Sequence, residues 1–295
     1  MSSHCSKKLY FYNMPIPKMI HYCWLSGDPY PELVQRCMQS WKEKLPDYEF
    51  MLWDMNRFDI HSVSWVEQAC AAKKWAFAAD YIRLYALYNY GGIYLDSDVE
   101  VLKSFDDLLE LPYFFGREHY FDMIDASNTI EAATMGCEKG NVVIRECLDF
   151  YKDRKFTKTN GEYDMLILPY AMALVFSRYV LKNIGCIKDF DPDSGKICLF
   201  PMDYFSPKNT RTLEVDATEN TYSVHHFNGS WYTKAQSVHV KLRIKLCKIF
   251  GEKIGEILST VAALFIHCRY EGIWYTFRKT ASKMVEKVKS LKAGA

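Results

Sequence analysis

The sequence predicts an α/β fold with a basic helical C-terminal extension, and three observations predict it. Short apolar runs alternate with longer amphipathic ones over residues 18–95. A glycine pair, Gly91-Gly92, separates a long apolar stretch from a short strand-like one. Charge is unevenly divided: the chain has 295 residues and a formal charge of +1, yet from Lys234 onward it carries 13 Lys+Arg and four acids, against 24 basic and 32 acidic residues before that point. With 49% hydrophobic and 25% charged residues, the chain can bury a sizeable core, which excludes disorder and collagen-like repetition.

The elements follow in order. Pro15-Ile16-Pro17 leads into a buried strand over Lys18–Trp24, and a helix is expected from Pro31, a residue suited to a first turn, to Lys44. A second strand covers Glu49–Asp54. Helical stretches at Val63–Ala72 and Lys73–Tyr90 lead to Gly91-Gly92, where a left-handed residue ends a helix most cheaply as glycine, and then to the strand Ile93-Tyr94-Leu95. A later strand runs on from Tyr222.

The ten cysteines are scattered singly in apolar surroundings, without the close pairs of a zinc site, so reduced, buried thiols in a cytosolic protein are expected. The longest apolar run, Ile257 to Cys268, falls short of the ~20 residues that span a bilayer, and no signal-peptide pattern opens the chain. In the extension, Ile254, Ile257, Leu258, Val261, Leu264, Phe265 and Cys268 recur at helical spacing between lysine-rich flanks. That pattern fits a helix lying on an anionic membrane surface through residues 237–295, or one packing its stripe on the body. Lys241, Arg243 and Lys245 alternate with apolar residues, but without any recognisable nucleic-acid module no nucleic-acid partner is expected.

Between Trp75 and Leu95 the only charged residues are Asp80 and Arg83. In a helix apolar on nearly every face, both should be buried, which is costly unless they are paired. Three residues apart, they can reach each other, as a structural ion pair or as part of a site. The following strand ends in Asp96-Ser97-Asp98, which would project two carboxylates to one side, roughly 6–7 Å apart, at the edge where open α/β sheets bind ligands. Two hard anionic ligands there suit a divalent cation that also holds a diphosphate.

These residues carry a resemblance. AADYIRLYALYNYGGIYLDSDVEVLKSFDDLL resembles the signature of glycosyltransferase family 32, the DXD-containing sugar transferases related to yeast initiating mannosyltransferases and to the glucosyltransferase domain of large clostridial toxins. IPKMIHYCWLSGDPYPELVQRCMQSWKEKLPDYEFMLWD resembles the family's opening strand, helix and strand, and NTYSVHHFNGSW its closing motif. Together they cover most of residues 15–233.

The resemblance implies a GT-A-type nucleotide-sugar transferase fold, a Rossmann-like mixed sheet flanked by helices, as a catalytic domain over residues 1–233, with 234–295 as the basic amphipathic extension. It implies Mn²⁺ or Mg²⁺ as the cation, a nucleotide-sugar donor, of which a UDP-sugar is favoured, and a retaining transfer of a hexose or N-acetylhexosamine. The acceptor would be a cell-surface glycan or lipid-linked saccharide, at the cytoplasmic face of the membrane. Trp24 would stack on the base, and Asp80 and Arg83 would engage the donor sugar and diphosphate. Tyr94 would lie near the nucleotide, Asp96 at the ribose and metal, and Asp98 on the metal. His225 and His226 point alternately, so one faces the metal, and the motif favours His226. Ser230 and Trp231 would reach the metal or β-phosphate, the indole N–H acting as donor. Where the family often has an asparagine, this chain has Ile130-Glu131-Ala132-Ala133, and Glu131 is either an acceptor-side group or, as favoured, a surface residue. The alternatives are a GDP-mannose-dependent mannosyltransferase and a non-catalytic membrane-docking protein that keeps the fold.

Overall fold

A computed structural model describes residues 15–118, 129–229 and 232–273. They form two compact units, one of residues 15–208 and 215–228, the other of 209–214, 229 and 232–273.

The first unit is built on a five-stranded mixed sheet. β1 (Met19–Cys23) is followed by α1 (Glu32–Lys44), β2 (Glu49–Trp53), α2 (Ser64–Ala71) and α3 (Trp75–Tyr90). Then come β3 (Gly92–Leu95), β4 (Val99–Val101), β5 (Tyr113–Phe114), β6 (Thr134–Cys137) and α4 (Val142–Asp149). The unit closes with α5 (Leu168–Phe176), β7 (Leu181–Asn183), β8 (Ile197–Leu199), α6 (Met202–Phe205) and β9 (Ser223–His225). The sheet order is β2-β1-β3-β6-β5. β1 pairs in parallel with both β2 and β3, whereas β6 runs antiparallel to β3 and β5. The expected α/β class, with helices flanking a mixed sheet, is therefore present. Because β1 is flanked by β2 on one side and β3 on the other, the chain direction of connection reverses there, and the crevice beyond the carboxyl ends of β1 and β3 is where such sheets bind ligands.

The glycine pair does what the sequence implies, for a reason beyond helix termination. Gly91 caps α3 at φ +69°, its N–H bonded to the Leu87 carbonyl at 2.8 Å. Gly92 follows at φ +98°, and a Cβ there would lie 2.7 Å from the Met19 carbonyl oxygen. The pair thus turns the chain and lets β3 approach β1.

That junction is locked by a buried histidine. His21 Nδ1 accepts from the Trp53 indole at 3.1 Å, so Nε2 carries the hydrogen and donates to the Gly91 carbonyl at 2.8 Å. Among the described residues the three fully buried tryptophans all have indole partners: Trp53 in His21, Trp41 in the Val99 carbonyl at 2.7 Å, and Trp65 in the Phe77 carbonyl at 2.7 Å. The main core gathers Ile20, Trp41, Ile93, Leu95, Val99, Phe105, Phe114, Phe205 and Tyr222, which fastens α1 and the β4/β9 pair to the sheet.

The second unit is a helical hairpin, α7 (Lys234–Phe250) and α8 (Glu252–Glu271). Thr233 and Gln236 form a reciprocal capping box at the start of α7. Gly255 sits where a Cβ would be 2.5 Å from Cys247 Cα, so the helices meet closely. Arg211 reaches Glu256 at 2.8 Å and Asn209 donates to Glu252 at 2.7 Å, tying the 209–214 segment to the hairpin. No helix of the described residues is long and apolar enough to cross a membrane. The cysteines of the described residues are free thiols, most of them buried.

Burial pushes the His21 imidazole down to about 4. Below the ordinary value of 6.5 the unfolded chain takes up a proton that the folded chain refuses, so stability present above that pH is lost as pH falls toward 4. The difference corresponds to about 3 kcal/mol. In urea unfolding, the advantage of the wild type over His21→Gln should shrink by about that amount between pH 7 and pH 4.

Candidate active site

The site is assembled at the carboxyl ends of β1 and β3. The first support is α3, whose Asp80 and Arg83 are 6% and 5% exposed. All five N–H groups of the Arg83 guanidinium have partners. Nη2 meets Asp80 Oδ1 at 3.1 Å and Asp96 Oδ1 at 3.2 Å. Nη1 donates to Asp96 Oδ2 at 3.2 Å and to the Ala132 carbonyl at 2.8 Å, while Nε reaches the Ala79 carbonyl at 3.4 Å. Tyr94 lies beneath the guanidinium, 4.6 Å from ring centre to Cζ, and its hydroxyl donates to Asp96 Oδ1 at 2.9 Å. Asp80 Oδ2 accepts from the Leu168 N–H at 3.2 Å, and burial pushes its carboxyl up to about 7 against the attraction of Arg83. The structure therefore makes the Asp80–Arg83 pair a brace for Asp96. With every donor engaged, Arg83 has no N–H left over for a ligand.

Asp96 and Asp98 are not strand residues, contrary to the sequence expectation. β3 ends at Leu95, and the Val99 N–H bonds back to the Asp96 carbonyl at 3.0 Å, closing a turn through Asp96-Ser97-Asp98. The turn exists because the chain leaves one sheet for another: β4 pairs antiparallel with β9, Val99 opposite His225. The Asn228 N–H holds Asp98 Oδ2 at 2.8 Å.

The same pairing decides between the two histidines, and it overturns the preference for His226. His226 Nε2 donates to Glu100 Oε2 at 2.8 Å, and Nδ1 accepts from Lys208 Nζ at 3.3 Å, so both ring nitrogens are occupied away from the aspartates. His225 Nε2 instead lies 3.6 Å from Asp98 Oδ1, and Asp96, Asp98 and His225 offer three ligand atoms within 4.8 Å of one another. Two carboxylates and one imidazole form a mixed oxygen and nitrogen donor set that fits Mn²⁺ better than Mg²⁺.

Glu131 also departs from expectation. It is fully buried, with Oε1 accepting from the Ala133 N–H at 2.6 Å. Glu118, unanticipated from the sequence, is buried beside it, and each has a carboxylate oxygen 3.8 Å from His225 Nδ1. Burial, and for Glu118 the neighbouring Glu131 charge, pushes these carboxyls up. Glu131 could have been found by the argument used for Asp80, since Ile130, Ala132 and Ala133 surround it with apolar residues. Glu118, in Gly116-Arg117-Glu118, carries no such signal.

Trp24 follows β1 directly and is half-buried. Its indole donates to the Asp28 carbonyl at 2.7 Å and its ring tilts against Tyr30, centres 4.8 Å apart. Ser230 and Trp231 lie outside the described residues.

Residues 31–115, which contain the aspartate turn and its brace, match the family described as "Glycosyltransferase sugar-binding region containing DXD motif". Over these residues the chain is similar to the DXD-containing glycosyltransferases. Among curated proteins, the chain is 35% identical over 106 residues to inositol phosphoceramide mannosyltransferase 3 of Schizosaccharomyces pombe, covering 35% of this chain and 30% of that protein. It is 26% identical over 175 residues to subversion of eukaryotic traffic protein A of Legionella pneumophila, covering 50% and 27%. The chain thus spans about a third or less of the length of these curated relatives. Among solved structures, PaToxG glycosyltransferase matches at 20% identity and a TM-score of 0.44, covering 57% of this chain and 70% of that one.

Replacing Arg83 with Met would leave Asp80 and Asp96 facing each other without the guanidinium. Loss of one partner from a buried charge network costs about 3–5 kcal/mol. Urea unfolding should register a destabilisation of that size for Arg83→Met, and a change below about 1 kcal/mol would show that the brace is not formed.

Proposed function

We propose that this protein is a metal-dependent glycosyltransferase that moves a hexose from a nucleotide-sugar to a glycan or lipid-linked acceptor. The observation that carries the reading is the convergence of Asp96, Asp98 and His225 at the carboxyl ends of the central strands, within a DXD-containing sugar-transferase region. The printed names of the fungal relatives, inositol phosphoceramide mannosyltransferases and mannosyl phosphorylinositol ceramide synthases, favour mannose as the sugar. They thereby favour GDP-mannose over the UDP-sugar expected from the sequence, and a phosphoinositol-type lipid headgroup as the acceptor.

A divalent cation held by Asp96, Asp98 and His225 would neutralise charge on a departing nucleoside diphosphate. The chain's own part is preorganisation. Arg83 and Tyr94 fix both oxygens of Asp96, and the Asn228 N–H fixes Asp98, so little reorganisation accompanies bond cleavage. Trp24 offers a partly exposed aromatic face beyond β1 for a base. Trp231 and Ser230 keep the diphosphate-side role that the family resemblance implies.

Removing one such electrostatic contact should slow turnover ~100-fold or more. With Mn²⁺ present, a panel of GDP-mannose, UDP-glucose, UDP-galactose and UDP-N-acetylglucosamine is expected to yield donor hydrolysis for one nucleotide class. Asp98→Asn should reduce that rate at least ~100-fold while its unfolding transition stays cooperative; an unchanged rate would sink the assignment.

Membrane attachment through the helical hairpin belongs to the same proposal, and it places the enzyme peripherally at a cytoplasmic membrane face. Ile254, Ile257, Leu258, Val261, Leu264 and Phe265 are each at least 40% exposed, Phe265 at 74%, with Lys241, Lys245, Lys248 and Lys253 exposed on the same unit. The full chain should pellet with phosphatidylserine-containing vesicles and not with neutral phosphatidylcholine ones. The double variant Ile257→Asp/Phe265→Asp should stay in the supernatant, and pelleting equal to wild type would count against this role.

A further inference from the structure

Three buried acceptor or donor atoms near the aspartate turn have no use in the function just proposed. Glu118 Oε2, Glu131 Oε2 and His225 Nδ1 make no hydrogen bond, although all three are buried. Glu131 Oε1 faces the same Nδ1 at 3.8 Å, as does Glu118 Oε1. Two fully enclosed carboxylates without a cation between them are a costly arrangement, and a chain that retains one needs a donor for it.

The orphaned oxygens are enclosed by the protein, so a sugar does not reach them. The other oxygen of each carboxylate, Oε1, faces the far side of the imidazole whose Nε2 looks toward Asp98. The chemistry of Glu131 Oε1 then bears on the direction of that contact. Because this oxygen already accepts the Ala133 N–H at 2.6 Å, it acts as an acceptor, and a hydrogen on the ring nitrogen turned toward it would complement it.

We infer that Glu131, with Glu118 beside it, is a positioning residue that holds His225 as the Nδ1–H tautomer and so leaves the Nε2 lone pair for the cation of Asp96 and Asp98. This rests on the reading of that trio as a cation site. A carboxylate behind a ligating histidine fixes its ring orientation and raises its basicity, and removing such a partner weakens metal affinity 10- to 100-fold, an order-of-magnitude range. The separation of 3.8 Å is long for a hydrogen bond, as such contacts are before the site is loaded.

A second feature fixes the ring from its other side. Phe227 adopts φ +53°, in the left-handed region that a bulky side chain rarely enters. The resulting turn lays its ring against His225, centroids 4.0 Å apart at 34°. Strain of this kind persists only where the surroundings impose it. The imidazole is thus held between an aromatic face, a buried acid pair and the aspartate turn.

The test begins with the wild-type full chain, labelled with ¹⁵N-histidine and observed at pH 8 without metal, with His225 assigned by its loss in His225→Gln. The tautomer with hydrogen on Nδ1 is expected, and an Nε2–H signature would overturn the assignment. Calorimetric titration with Mn²⁺ supplies the second arm. Glu131→Gln, which can turn an amide N–H toward Nδ1, should shift the tautomer and weaken Mn²⁺ binding about 10-fold or more, with Glu131→Asp recovering part of the loss. Affinity and tautomer both unchanged in Glu131→Gln would overturn it. If the wild type shows the Nδ1–H tautomer yet binds no Mn²⁺, the cation-site reading fails and the orienting contact stands, so the two failures are distinguishable.

Discussion

The guanidinium of Arg83 is the point on which the site depends. Among the described residues it is the sole cation joining Asp80, Asp96 and the Tyr94 hydroxyl, and it joins three separate pieces of backbone: the turn of α3 at Ala79, the Ala132 carbonyl before β6, and the aspartate turn after β3. A lysine could not do this, because a single ammonium lacks the planar fork that meets both oxygens of Asp96 while reaching Asp80 and a carbonyl. The brace also explains the composition of α3. A helix apolar on nearly all faces can be driven into the interior by hydrophobic burial, and only a helix so buried can carry a guanidinium to the underside of the sheet edge.

How much was legible in the sequence follows from which interactions are local. β1, α1, β2, α2, α3 and β3 all fall close to their expected positions, since periodicity, a proline at Pro31 and glycines at Gly91-Gly92 are read over a few residues. The paired Asp80 and Arg83 were legible for the same reason, as charges with no polar surroundings. The choice of His225 over His226 was not. Alternation along a strand shows that one of two neighbours faces the turn, but which one depends on the β4/β9 register, a pairing between residues more than 120 positions apart. Glu131 lay between these cases: its apolar neighbours signalled burial, and only the fold could show what it is buried against. The aspartate turn was misread as strand because nothing in Leu95-Asp96-Ser97-Asp98 announces that the chain is about to change sheets.

Charge explains why these long-range features belong together. Asp80, Asp96, Asp98, Glu118 and Glu131 share one small region with Arg83, while Lys208 lies near Asp98 with its ammonium pushed down by burial. The acids outnumber the cations, and burial pushes the carboxyls of Asp80, Glu118 and Glu131 up. The two acids left least enclosed, Asp96 and Asp98, are the ones at the crevice. A region with this balance binds a divalent cation at its exposed edge more readily than it binds a second anion, and an anionic diphosphate can enter only with a cation. The fold thus orders the residues of the proposed site: the brace fixes the carboxylates, and the carboxylates with His225 would hold a cation that could offset the charge of a diphosphate.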